Sequence, residues 1–410
     1  MKIWIKLLAG TCIGVLLGIL LPKSDPQIKE LFSYLSELAI NVGRYGLLPL
    51  LFFSISIGTY ELKQEQKLLR IYGRVFLYCV LSTALLVLIG SLSILIISPD
   101  RIPIIIEKEA AYNLPGMKEI LLTIFPKNLF KVFMTDGSFL FPVCFLSFFL
   151  GLNFNFDRLI TKPVVQFFDA MSRIFYQINS FFTELLGLGF IALSAFLIIQ
   201  LRSTQELDLF MQIIVILCID TVLIAFGIYP GILYLMGIKD NPFKWLYAII
   251  APALAGFVSK DSHFSLAFLI RHGKENLGIP RKIGSTTFTF FAVFGKAGTA
   301  LVTTVTFIVI LKSYSSLGIN FIQVLWVMTF SFLVSFILGS VPGLGTIVAL
   351  SILCSGYGKG VEEGYLILKP IAPLLVSFGV FLDVITSAFI SLIVARLEES
   401  LKEVHASDYI

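Results

Sequence analysis

The sequence predicts an all-α polytopic membrane protein of eight transmembrane helices plus two re-entrant helical hairpins, on three observations: apolar composition, eight long apolar runs, and two apolar stretches broken in the middle. Of its 410 residues 57% are hydrophobic and only 14% charged, with a mean hydropathy of +0.93. A soluble domain carries about 25% charged residues, and so few charges could not cover this much apolar surface in water. The solvent is therefore a lipid bilayer. The net charge of +5 is spread along the chain and marks no nucleic-acid surface. Cys12, Cys79, Cys144, Cys218 and Cys354 lie singly in apolar stretches, which predicts packed thiols and neither a metal site nor a disulfide framework.

Residues 3–21 follow Lys2 and contain Lys6, as a secretory signal would, but no small-x-small cleavage site precedes Pro22, so the first run is read as the first span. Apolar runs of about 18 residues or more mark spans. They fall at 3–21, 31–59, 72–98, 119–152, 165–200, 208–236, 283–312 and 365–395. The two further stretches, 243–270 and 319–356, are interrupted by Ser259-Lys260-Asp261-Ser262-His263 and by Gly339-Ser340-Val341-Pro342-Gly343-Leu344-Gly345-Thr346. Pro and Gly end one helix and let the next begin. Backbone groups freed at membrane depth survive only inside protein or against an aqueous cavity, so each break reads as a re-entrant hairpin, the alternative being a kinked full span. Paired broken segments also point to a transporter's binding site.

Lys63, Lys67, Arg70 and Arg74, then Arg158 and Lys162, then Arg271, Lys274, Arg281 and Lys282, mark cytoplasmic loops; Arg396 and Lys402 place the C-terminus there with the N-terminus. The mixed-charge loop 99–118 reads as outside.

In order and spacing these elements resemble the dicarboxylate/amino acid:cation symporter family, which includes the glutamate transporters. Leu48-Pro49-Leu50-Leu51-Phe52 is similar to the family's proline kink in helix two, and Phe125-Pro126-Lys127-Asn128-Leu129-Phe130 to its entry into helix four. Gly298-Thr299-Ala300 resembles the end of its Asn-Met-Asp-Gly-Thr motif in helix seven, and Val341-Pro342-Gly343-Leu344-Gly345-Thr346 its second hairpin tip. The resemblance implies a homotrimer with a glutamate-transporter-like elevator fold. Residues 1–71 and 99–207 would form the static scaffold, and 72–98 with 208–410 would carry a small-molecule solute across the bilayer.

The resemblance also implies site residues, and shows where the chain departs from the pattern. Ser262, Thr299, Val341 and Gly345 match substrate-contact positions. Asp261 and His263 do not match; they read as solvated tip residues or as a proton-handling pair. In helix seven Gly295-Lys296-Ala297 stands where the family has Asn-Met-Asp, so a carboxylate that would ligate sodium is absent and an ammonium is present. A mid-membrane lysine costs about 2.5–3.5 kcal/mol unless paired or wetted. In the last span two registers fit the family motif. One makes Asp383 the holder of a substrate amine and Thr386 the substitute for its arginine; the other puts Asp383 at an Asn position, Ser387 at the final sodium Asp, and Val376 and Gly379 at the amine and arginine positions.

Lys296 and Asp383 are expected to pair. The pair either replaces a lost sodium and ties two helices together, or opens to take a carboxylate on Lys296 or an amine on Asp383; an unpaired, wetted lysine is the third reading. Ser82 and Thr83 are packing hydroxyls or remnants of a third sodium site, Asp220 a functional carboxylate or an interhelical contact, and Arg44 a scaffold residue near the headgroups. The expected activity is secondary transport of a small amino acid or dicarboxylate across the cytoplasmic membrane. Na+ or H+ would be the coupling ion, with sodium coupling weakened, and no organic cofactor is implied. The rival is a degenerate, non-transporting member acting as sensor or partner subunit. An enzyme is not expected, because no nucleophile–base pair or metal cluster is visible.

Overall fold

The computed structural model describes residues 2–22, 25–103, 128–134, 139–203, 207–237, 241–315, 319–341 and 343–410. Every regular element among the described residues is helical. Six helical stretches are long and apolar enough to cross a membrane, and a bent pair adds a seventh. The predicted span 119–152 lies partly outside the described residues, as do most of the loop 99–118, the Phe125-Pro126-Lys127 motif and Pro342.

The first stretch is α1 (Ile3–Leu20). It packs against α7 (Gly189–Ser203) through Gly10, Gly14 and Gly18, spaced one helical turn apart. A Cβ at Gly14 would sit 2.3 Å from the Ile191 carbonyl oxygen, so only glycine allows the two backbones this close. The predicted span 31–59 is two helices. The first, α2 (Pro26–Arg44), begins with Asp25 accepting the Gln27 N–H at 3.0 Å and Pro26 in its first turn. The second, α3 (Leu47–Gln64), follows after Tyr45-Gly46. Next comes α4 (Leu68–Ile97); of the following span the described residues form a 3-10 turn over Leu129–Phe133 and α5 (Phe141–Asn153), which packs on α3.

The run expected over 165–200 is bent: α6 (Arg158–Leu185) meets α7 at 56°. Along α6, Ser172, Asn179 and Thr183 are buried, while Phe167, Ile174 and Phe181 face outward. Asn179 donates to the Ala267 carbonyl at 2.9 Å, which fixes this inverted face against the neighbouring helices.

Beyond α7, α8 (Met211–Val222) and α9 (Tyr229–Leu235) are joined by a π-helical turn, Leu223–Ile228, immediately before Pro230. Proline supplies no N–H to the preceding turn, and the wider turn accommodates its ring. The first broken stretch comprises α10 (Lys244–Ala248), α11 (Ile250–Ser259) and α12 (Ser262–Glu275). The last two pack on one another across Lys260-Asp261. The second comprises α15 (Phe321–Ser335) and α16 (Gly345–Tyr357). Between the two stretches, the run 283–312 is also broken. α13 (Arg281–Phe294) stops at Gly295, and α14 (Ala297–Tyr314) starts after Lys296. The chain's last long helix is α17 (Ala372–Leu397), entered through a 3-10 turn over Gly364–Ile371.

Two stretches form the centre. Arg281–Tyr314 and Gly364–Leu397 are 94% buried over their apolar windows, against 28% for Ile3–Leu20. α14 packs against α4, α15, α16 and α17; α17 also packs against α11 and α13. Both broken stretches thus close around the break in 281–314.

Candidate substrate site

A helix that starts in mid-span exposes N–H groups that lipid cannot satisfy. At the start of α14 a side chain from α17 does so. Asp383 Oδ1 accepts the Gly298 N–H at 2.7 Å and the Thr299 N–H at 3.0 Å, and Oδ2 accepts the Thr299 hydroxyl at 2.7 Å. The carboxylate therefore acts as an N-cap supplied by another helix, a favourable position for negative charge. This approach needs glycines on both sides. A Cβ at Gly298 would lie 2.3 Å from Leu382 Cβ, and one at Gly379 would lie 3.2 Å from Thr299 Oγ1 and 3.1 Å from Thr346 Oγ1. Helices α14, α16 and α17 touch at this point.

Beside the cap lies a cavity of about 20 Å³, lined by Ser262, Lys296, Asp383 and Ser387 against the apolar wall of Leu269 and Phe291. It holds about one water. Lys296 is 4% exposed, and among the described residues its ammonium has no hydrogen bond and no carboxylate within 4 Å. The Ser262 and Ser387 hydroxyls are buried without partners. One cationic side chain, one carboxylate and two serines thus line one small space. Larger cavities, of about 600 and 340 Å³, lie between α3, α6 and α13 and beside the C-terminal tail. Neither contains a residue of the cap.

Of the residues singled out from the sequence, Ser262, Lys296, Asp383 and Ser387 meet in one cavity. Lys296 and Asp383 line the same cavity but make no ion-pair contact within 4 Å, and the hydrogen bonds of the carboxylate go to the start of α14. Thr299 is part of the cap. Gly345, at the start of α16, faces it: a Cβ there would lie 3.5 Å from Thr299 Cγ2. Gly295 packs under Phe291, Ala297 is fully buried, and Val341 ends the 3-10 turn before the second tip. Thr386 lies elsewhere. Its hydroxyl shares a 2.6 Å hydrogen bond with Tyr229 and donates to the Leu382 carbonyl at 2.7 Å.

Asp261 and His263 are not solvated tip residues, being 4% and 0% exposed. Asp261 pairs with Arg44. Arg44, the last residue of α2, thereby ties that helix to the first tip. Ser82 and Thr83 donate to the Cys79 carbonyl on their own helix, at 3.0 and 2.8 Å, as packing hydroxyls do. Asp220 accepts from Ser93 at 2.8 Å, a contact between α8 and α4.

Comparison with known proteins agrees with this architecture. The chain is similar to the proton/sodium-glutamate symport protein of Geobacillus stearothermophilus, 22% identical over 97% of this chain and 96% of that protein. The corresponding protein of Bacillus caldotenax is 21% identical over the same shares. The C4-dicarboxylate transport protein of Bacillus subtilis is 24% identical over 58% of this chain and 59% of its own length. The family profile described as the sodium:dicarboxylate symporter family matches residues 3–397, and the chain belongs to that family.

Proposed function

We propose that this family member is a secondary transporter of a small amino acid or dicarboxylate, in which Lys296 receives a carboxylate of the solute and sodium coupling is weakened or replaced by protons. One observation carries the reading: among the described residues the side chain of buried Lys296 has no hydrogen-bond acceptor, and it lines one cavity with Ser262 and Ser387, whose hydroxyls have no partner. A buried ammonium with no hydrogen-bond acceptor is costly, and a carboxylate entering beside it supplies acceptors that Asp383, bonded to the start of α14, does not. Glutamate and C4-dicarboxylates, named for the relatives, carry such a group.

Weakened sodium coupling is supported by the donor set. Ala297 offers no side-chain oxygen, Ser387 offers one hydroxyl, and Asp383 is engaged in capping α14. A fixed ammonium in the same cavity repels a second cation. Gly379, not Thr386, faces Thr299 and Thr346, which supports the register in which Asp383 takes the Asn position and Ser387 the final sodium position. In that register no guanidinium reads the solute, and Lys296 takes its place.

The wider scheme is part of the same proposal. Residues 1–71 and 99–207 form a scaffold, 72–98 and 208–410 move against it, the assembly is a homotrimer in the cytoplasmic membrane, and both termini face the cytoplasm. The one-water cavity fits a closed state that must open to admit a solute. The test is thermal unfolding of the purified protein with succinate, glutamate or alanine, in sodium or choline chloride, together with uptake into proteoliposomes. Stabilisation by a carboxylate without sodium, lost in Lys296→Gln, is the expected result. Uptake that vanished completely with sodium absent on both sides would overturn the coupling assignment.

A further inference from the structure

The turn between α11 and α12 carries two charges, and both are engaged by helices of the proposed scaffold. Lys260 adopts a left-handed conformation (φ 62°), uncommon for a residue with a Cβ. Its ammonium donates to Gln200 Oε1 at 2.8 Å. Asp261 pairs with Arg44 of α2, the guanidinium meeting the carboxylate through Nε to Oδ1 at 3.2 Å and Nη2 to Oδ2. The Arg44 side chain is 22% exposed and that of Asp261 6%, so the pair is largely withdrawn from solvent.

The same carboxylate reaches two further elements. Oδ1 accepts the His263 and Phe264 N–H groups at 2.9 and 2.8 Å and so caps α12, whose first residue, Ser262, lines the central cavity. Oδ2 lies toward the second tip: it is the nearest atom, at 4.0 Å, to a Cβ built at Gly343. One side chain therefore bonds α2 and the start of the helix that presents Ser262, and faces the tip of the other broken stretch without a hydrogen bond to it.

We propose that Arg44 is a positioning residue for the solute site. Acting through Asp261, it holds the start of α12, and with it Ser262, against α2, so that access to the central cavity beside Ser262 is tied to where the first tip sits on α2. The identity of the cavity as the solute site rests on the transport reading; the bonds from Arg44 through Asp261 to α12 do not. A buried carboxylate stripped of its counter-ion is strongly unfavourable. Without Arg44, Asp261 is drawn toward water, and the start of α12 loses its hold on α2.

The test uses a Ser262→Cys reporter in a chain whose five native cysteines are replaced, reacted with a membrane-impermeant methanethiosulfonate. Adding Arg44→Gln accelerates modification by about tenfold or more, because a buried pair contributes well over the free energy of one decade. Asp261→Asn, which keeps an oxygen for the α12 cap, does the same, and Arg44→Lys restores slow modification. Elution profile and unfolding midpoint are followed for each variant, and Asp261→Asn serves as the reading if Arg44→Gln does not fold. Equal modification rates in the parent and in the folded neutralised variants would overturn the proposal. No solute is needed for this measurement, so a failure of every carboxylate to bind would sink the transport reading and leave this one standing.

Discussion

Replacing Asp383 tests whether the carboxylate is chiefly a helix cap. Asp383→Ala removes three hydrogen bonds into an ionised acceptor and leaves the buried N–H groups of Gly298 and Thr299 unpaired. Bonds to charged groups contribute about 1.5–3 kcal/mol each, and unsatisfied buried groups add their own cost. The three are not additive, so the loss is about 4 kcal/mol or more. Asp383→Asn keeps one oxygen that both amides can share, and should lose about 2 kcal/mol. Thr299→Val forfeits only the hydroxyl contact and should lose about 1 kcal/mol. Unfolding of the purified protein in detergent, followed by tryptophan fluorescence, orders the three, since Trp245 lies in the same core. A midpoint for Asp383→Ala indistinguishable from that of the parent would refute the capping role. A second signature is available in a cycle with Lys296→Met. If the ammonium and the carboxylate sense each other across the cavity, the double variant will be more stable than the sum of the singles predicts.

Gly298→Ala places a methyl group 2.3 Å from Leu382 Cβ and should cost about 1–3 kcal/mol or more, whereas Gly231→Ala, with nothing within 4 Å, should be tolerated; comparing their unfolding midpoints decides. The Glu398 side chain is 2% exposed and sits against Lys67, Arg70 and Arg74, at 3.3, 3.3 and 2.5 Å. Glu398→Gln removes the anion shared by three partly exposed cations and should destabilise by about 1 kcal/mol; an unchanged midpoint would show that water already serves the cations. Arg271, with an 8% exposed side chain, donates to the Ser180 carbonyl at 2.6 Å and to Glu184 at 2.7 Å. Arg271→Met should loosen α12 from α6, read as faster amide exchange over 262–275, and protection equal to that of the parent would count against this docking.

Much of the site's composition was legible in the sequence. Lys296 was visible because an ammonium in an apolar run has to be accounted for, and Asp383 for the same reason; both line the cavity. What was misread was their relation. Sequence offers opposite charges and suggests a pair, but the break at Gly295-Lys296 creates donors that only appear when the helix is interrupted, and these compete for the carboxylate. Thr386 was misplaced for a related reason: it stands three residues from Asp383 and one from Ser387, but its hydroxyl is turned to Tyr229. Arg44 was missed as a site residue because its partner is 217 positions away.

By itself, the sequence determined the solvent of this protein, the approximate places of its long apolar helices, the two interrupted stretches and the family. These follow from composition and from local backbone chemistry, which act over one or two helical turns. Tertiary structure alone decided which polar groups are already satisfied. It assigns Asp383 to the start of α14 and Asp261 to Arg44 and α12, and leaves Lys296, Ser262 and Ser387 facing one another. The physical reason is competition: a buried charge goes to whichever partners the packing brings within 3 Å, and that is a property of the assembled helices rather than of any one of them.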